Sequence, residues 1–285
     1  MCDELTDQET EAFLSRRRFG ALAAASAAAS LLPAGAFAAE LTESEVEVTT
    51  PDGTVDAYFV HPASAAPAVL LWPDIFGLRP AMRTLGKRLA AEGYAVLVVN
   101  PYYRQAKAPV VAEGDSLKDP TVRDKVFGLA GPLTAETTRR DAKAIIAWLD
   151  AQAAVDKARG IGTQGYCMGG PMVLWSAAEV PNRIAAAATF HGGGLVTDEA
   201  DSPHLGIPKM KAQALIAVAK NDDEREPEAK NVLKQAFAKA ALPAEIEVYE
   251  AMHGWCALDF PVYDEAQATK AWSRLLALYD KALRA

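Results

Sequence analysis

Cysteine is scarce in these 285 residues, with only Cys2, Cys167 and Cys256, and that excludes a small fold stapled by disulfides. Aromatic residues make up 8%, no run of five or six like charges occurs, and the net charge is −8. Neither a nucleic-acid groove nor an anionic membrane surface is therefore an expected partner. The chain also lacks HExxH, CxxC, a GxGxxG following a strand and the Walker glycine-lysine-serine spacing. It offers no motif for a metal, a dinucleotide or a nucleotide phosphate, and no metal or cofactor is expected. No Pro/Gly/Ser linker, repeat or low-complexity tract interrupts it after the first forty residues. With 51% hydrophobic residues it is large and apolar enough for one sizeable core. A small organic molecule is the partner that remains.

Residues 1–38 read as an address. Ser15-Arg16-Arg17-Arg18-Phe19 leads into an alanine-rich run from Ala21 to Leu32, and small residues surround a cut after Ala38. This resembles a twin-arginine export signal. The run is too short for a bilayer core of about 30 Å, so no stable membrane insertion is expected. The expectation is a single domain over 39–285 in a periplasmic or secreted protein.

From Glu43 onward, β-rich runs alternate with helical patterns: Val55–Val60, Ala68–Trp72, Tyr94–Asn100, Gly160–Gln164, Ile184–Phe190, Ala214–Val218 and Glu245–Tyr249. Between them, apolar stripes such as Ala142, Ile145, Ile146 and Leu149, or Trp272, Leu275, Leu276 and Tyr279, recur at helical spacing and need a sheet to lie on. The pattern predicts an α/β fold with a mostly parallel sheet covered by helices on both faces. Residues 105–132 carry Pro and Gly and little periodicity, and read as a long excursion over a site.

The chemistry concentrates at Gly165-Tyr166-Cys167-Met168-Gly169-Gly170, a G-x-C-x-G run between a strand and the apolar helix Pro171 to Ala178. This is the spacing of a nucleophile elbow with cysteine in place of serine: the flanking glycines permit the sharp turn, and the helix N-terminus favours thiolate. Taken alone, the run also fits a buried structural cysteine in a Gly-rich turn. An acid and a base in hydrolase order argue for the elbow. Asp222 and Asp223 follow one predicted strand and His253-Gly254-Trp255 the last, so all three members would meet at the carboxyl rim of the sheet. Of the two acids, the motif's register favours Asp222.

The other histidines are less suited. His61 and His204 are expected at the solvated surface, and His191, before Gly192-Gly193-Gly194, is read as a strand end near the pocket. The amides of Met168 and of Ile75, in the loop Trp72-Pro73-Asp74-Ile75-Phe76-Gly77, are the expected oxyanion donors. Asp74 is either a loop acid or a carboxylate facing the thiol.

Together these motifs resemble the dienelactone hydrolase family, cysteine hydrolases of α/β-hydrolase fold. The resemblance rests on Asp74-Ile75-Phe76-Gly77, Tyr102-Tyr103-Arg104-Gln105, the Cys167 elbow, Asp222 and His253-Gly254-Trp255. It implies Cys167 as nucleophile, His253 as base, Asp222 as its orienter, and hydrolysis of an ester or lactone through a thioester. It points to Asp74, Tyr102, Arg123 and Trp255 as residues of substrate contact or activation, to which His191 is added as the strand end near the pocket. Asp74 stands where lactone-opening members have glutamate. Ala257 stands where they have a carboxylate-binding arginine, and Arg123 is the loose counterpart of a second. Two other classes compete: a catalytically silent binding protein on the same fold, and a thiol or redox protein pairing Cys167 with Cys256.

Overall fold

Residues 40–284 are described by a computed structural model; the export signal expected over 1–38 lies outside the described residues. Eight strands form one sheet: β1 (Leu41–Thr50), β2 (Gly53–Pro62), β3 (Ala68–Trp72), β4 (Ala95–Val99), β5 (Ile161–Tyr166), β6 (Ile184–Phe190), β7 (Gln213–Ala219) and β8 (Ala244–Tyr249). Their spatial order is β1-β2-β4-β3-β5-β6-β7-β8. The β1–β2 and β2–β4 pairs are antiparallel and every other pair is parallel. This is the predicted α/β-hydrolase architecture. Each predicted strand is present within a residue or two of its expected ends, and β1 is added at the edge.

Strands β3 and β4 are apolar throughout and buried throughout, as a parallel sheet covered on both faces requires. Their side chains divide between two clusters. Leu70, Leu97 and Ile216 pack on one face with Ile145, Leu149 and Phe237; Val69, Val96 and Leu215 pack on the other with Met82, Leu89 and Leu275. The helices responsible are α1 (Pro80–Ala91), α3 (Ala135–Ala151), α6 (Ala229–Lys239) and α7 (Glu265–Tyr279). Burying one such Leu or Phe side chain is worth about 1.5–3 kcal/mol. Helix α3 starts in a capping box, with Thr134 and Thr137 bonding each other's backbone amide. Helix α4 (Gly169–Glu179) and the one-and-a-half-turn α5 (Lys220–Arg225) follow β5 and β7 directly, so their first residues lie at the carboxyl rim.

The excursion over 105–132 contains one helix, α2 (Pro120–Ala130), capped by Asp119 at the amide of Thr121. Val126 is its one buried residue. Among the described residues, no helix is long and apolar enough to cross a membrane.

Candidate active site

Strand β5 delivers Cys167 onto a left-handed turn, with φ of +50°, and α4 begins two residues later. An L-residue pays strain for that conformation. Phe190 accepts a hydrogen bond from the Cys167 amide at 3.1 Å, and the Cys167 carbonyl accepts one from Gly170 at 2.9 Å. The two glycines of the motif have a steric reason. A Cβ on Gly165 would lie 2.3 Å from the Gly169 carbonyl oxygen, and one on Gly169 would lie 2.4 Å from that of Trp72. Only a bare backbone lets strand, elbow and the loop after β3 come this close.

His253 lies in the loop after β8, and Asp222 opens α5. The His253 Nδ1 to Asp222 Oδ2 distance is 2.7 Å, while the other acid, Asp223, pairs with Lys230 at 2.6 Å. Asn221 accepts a hydrogen bond from the His253 backbone amide at 2.8 Å, so residues 221 and 222 grip the histidine at both main chain and ring. Arg225 holds the second oxygen of Asp222 at 2.8 Å. On its far side the imidazole bonds the Cys167 thiol. Burial works against charge on this ring, but the Cys167 sulfur and the Asp222 carboxylate outweigh it and hold the proton on His253 well above the ordinary histidine range. The three groups thus form a line from sulfur through ring to carboxylate.

The loop after β3 packs on the elbow. Ile75, Phe76 and Cys167 are buried in one apolar cluster against which Met168 packs, so Ile75 and Met168 both belong to the surroundings of the thiol. Asp74 is fully buried, and its oxygens are taken. Oδ1 accepts from the Phe76 amide at 2.9 Å and from Arg79 at 2.7 Å, and Oδ2 accepts from Arg79 at 2.9 Å. Burial raises its pKa, and Arg79 opposes that rise. Arg79 extends its other edge to Asp259, at 2.6 and 2.9 Å. Asp74 is therefore first an anchor of its own loop.

Other expected residues act on neighbours. Tyr102 is fully buried; its hydroxyl donates to the Ile75 carbonyl at 2.6 Å and lies 3.3 Å from Met168 Sδ. Trp255 is fully buried and stacks on Tyr249, ring centroids 5.2 Å apart. His191 is fully buried at φ +42°, 4.9 Å from the His253 ring and 5.0 Å from Trp255. Burial pushes its pKa well below the usual value, and His253 adds to this, so it is a neutral wall against a charged ring. Arg123 lies on α2 beside Asp124. None of these four lines the cavity described below. His61 and His204 are half-buried and so only partly solvated: His61 packs on Phe59, and His204 Nδ1 bonds Ser202 at 2.7 Å. Cys167 and Cys256 form no disulfide and lie in separate apolar clusters.

A cavity of 660 Å³ opens beside His253, walled by Phe76, Arg79, Val111, Leu117, Phe260 and Val262 among others. Sequence reasoning did not find Asn221, Arg79, Asp259 or Val126. Only Arg79 carried a signal, as a basic residue five positions after the loop acid.

The family model of the dienelactone hydrolase family matches residues 55–283. The chain belongs to that family. It is a hydrolase of the dienelactone hydrolase type. Among curated relatives it is 28% identical over 252 residues to the "Putative carboxymethylenebutenolidase" of Salmonella typhi, spanning 86% of this chain and 87% of that one. It is 26% identical over 238 residues to the carboxymethylenebutenolidase of Rhodococcus opacus, spanning 81% and 88%. Among solved structures, the "Putative Dienelactone Hydrolase" of Klebsiella pneumoniae superposes with a TM-score of 0.72 at 25% identity, covering 85% of this chain and 99% of that one.

Proposed function

We propose that this member of the family cleaves small esters or lactones by acyl transfer to Cys167, with His253 and Asp222 completing a triad. The observation that carries the reading is the His253 ring, bonded on one side to Asp222 at 2.7 Å and on the other to the Cys167 thiol. The thiolate attacks the carbonyl carbon and a carbon–sulfur bond forms. The carbonyl oxygen takes up the electron pair and is met by the amides of Ile75 and Met168. As the tetrahedral intermediate collapses, the carbon–oxygen bond to the alcohol breaks and His253 gives its proton to the departing oxygen. Water, deprotonated by the now neutral ring, then attacks the thioester; the carbon–sulfur bond breaks, the carboxylic acid leaves, and the thiolate beside the protonated ring is restored. Relatives named carboxymethylenebutenolidase support a lactone among the substrates.

The test is direct. Cys167→Ala abolishes turnover of p-nitrophenyl esters and small lactones, and mass spectrometry of the intact protein catches an acyl adduct on Cys167 in the wild type. Unchanged turnover in that variant would leave a silent binding protein as the better reading. We also propose a periplasmic or secreted location from the Arg16-Arg17-Arg18 segment, tested by whether Arg16→Lys/Arg17→Lys retains the protein in the cytoplasm.

A further inference from the structure

Arg79 is the buried cation in the wall of the cavity beside His253, and every hydrogen it could offer a ligand is already given. A guanidinium carries five N–H donors. Nη1 donates to Asp74 Oδ1 at 2.7 Å and to the Gly77 carbonyl at 3.3 Å. Nη2 donates to Asp74 Oδ2 and to Asp259 Oδ1, both at 2.9 Å, and Nε donates to Asp259 Oδ2 at 2.6 Å. The rings of Phe76 and Phe260 stand 5.4 and 5.5 Å from its central carbon, so its surroundings are filled as well as its donors.

The two carboxylates differ in what they face. Asp74 is fully buried and ties Arg79 to the loop after β3, whereas Asp259 is 44% exposed and lines the same cavity as Arg79 and His253. Asp259 thus occupies the Nε–Nη2 edge, the paired geometry in which an arginine receives a carboxylate. Glu113 and Asp115 add two more negative charges to the cavity lining against Lys118. Most of the remaining wall is apolar, including Leu117 and Val262.

We infer that Asp259 sets the charge selectivity of the site: by filling the Nε–Nη2 edge of Arg79 and adding its own charge, it makes the enzyme favour uncharged, apolar esters or lactones over those bearing a carboxylate. An anionic group in this cavity meets three carboxylates and no open edge on Arg79. A neutral, apolar group meets phenylalanine, leucine and valine side chains and buries them further.

This inference rests on the acyl-transfer reading, and the test separates the two. Two matched pairs place the charge once in each half of the ester: 4-acetoxybenzoate against its methyl ester, and phenyl hydrogen adipate against phenyl methyl adipate, all followed by phenol release. In the pair whose charged half enters the cavity, kcat/KM for the neutral ester is expected to lead by about tenfold or more, since like charges brought together cost at least that much. Asp259→Ala opens the Nε–Nη2 edge and raises the anionic-to-neutral ratio in that pair by about tenfold or more. Asp259→Asn removes the charge but keeps an acceptor on Arg79, so it moves the ratio the same way by a smaller factor, and it serves if Asp259→Ala fails to fold. Anionic esters accepted as well as neutral ones in both pairs, or a ratio that neither Asp259 variant moves, overturns the inference while leaving the triad standing. No acyl adduct on Cys167 from any of these esters overturns the acyl-transfer reading itself.

Discussion

The hydroxyl of Tyr102 donates to the carbonyl of Ile75 at 2.6 Å while lying 3.3 Å from the sulfur of Met168. One buried side chain thus ties together the two residues proposed as oxyanion donors. Tyr102→Phe keeps the ring and removes this tie. Stability falls by about 0.5–1.5 kcal/mol, and kcat falls about tenfold or more as one oxyanion donor loses its aim, within the roughly 10²–10³ that loss of a whole donor costs. Separate determination of kcat and KM checks this: a purely structural role would leave kcat unmoved once the variant is folded.

The two adjacent acids are predicted to behave differently. Asp222→Asn removes the charge that orients and stabilises the His253 imidazolium, and kcat drops by about 10²–10⁴. Asp223→Asn breaks only the pair with Lys230 and changes kcat by less than about twofold, as expected of a surface ion pair. Steady-state kinetics on the two variants side by side decides it.

How much of this was visible in the sequence depends on whether a residue's role is local. The elbow was legible because Gly165, Cys167 and Gly169 form one local spacing motif, in which Gly165 meets the Gly169 carbonyl four residues on, and because Asp222 and His253 each follow a strand. Edge strand β1 was harder to read, since in Glu43 to Val48 charged residues alternate with valine and one face remains in water. Helix α2 has a single buried residue, Val126, so it has no apolar stripe to recognise. The role of Asn221 and the second partner of Arg79 were hidden for a different reason. Asn221 meets His253, 32 positions away, and Arg79 reaches beyond the nearby Asp74 to Asp259, 180 positions away, and only folding brings these together.

Arg79 lies between two carboxylates, one fully buried and one 44% exposed. Arg79→Met strands Asp74 as an unpaired buried charge and destabilises the protein by about 3–5 kcal/mol. Asp259→Asn, at the wet end of the same chain of contacts, costs about 1 kcal/mol or less. Urea denaturation monitored by tryptophan fluorescence measures both, and equal losses would show that Arg79 is not the bridge between the loops.

His253 and His191, 4.9 Å apart, respond to pH with opposite signs. The pKa of His253 is raised, so the stability it contributes is fully present below its unfolded value of about 6.5 and is lost as pH climbs through the folded value. In Cys167→Ala the sulfur's share of that rise is gone, and the imidazole titrates lower. The pKa of His191 is depressed by burial and by its charged neighbour, so its contribution is present above about 6.5 and is lost as pH falls toward the folded value. Each proton difference gives a slope of about 1.4 kcal/mol per pH unit at most. His191→Phe therefore flattens the loss of stability below pH 6.5 and leaves the alkaline limb unchanged, whereas Cys167→Ala changes the alkaline limb. Melting temperatures from pH 5 to 10 on the three proteins, with histidine NMR to assign the ring that moves, test the pair together. An acid limb in His191→Phe as steep as that of the wild type would mean His191 is not held neutral by its surroundings.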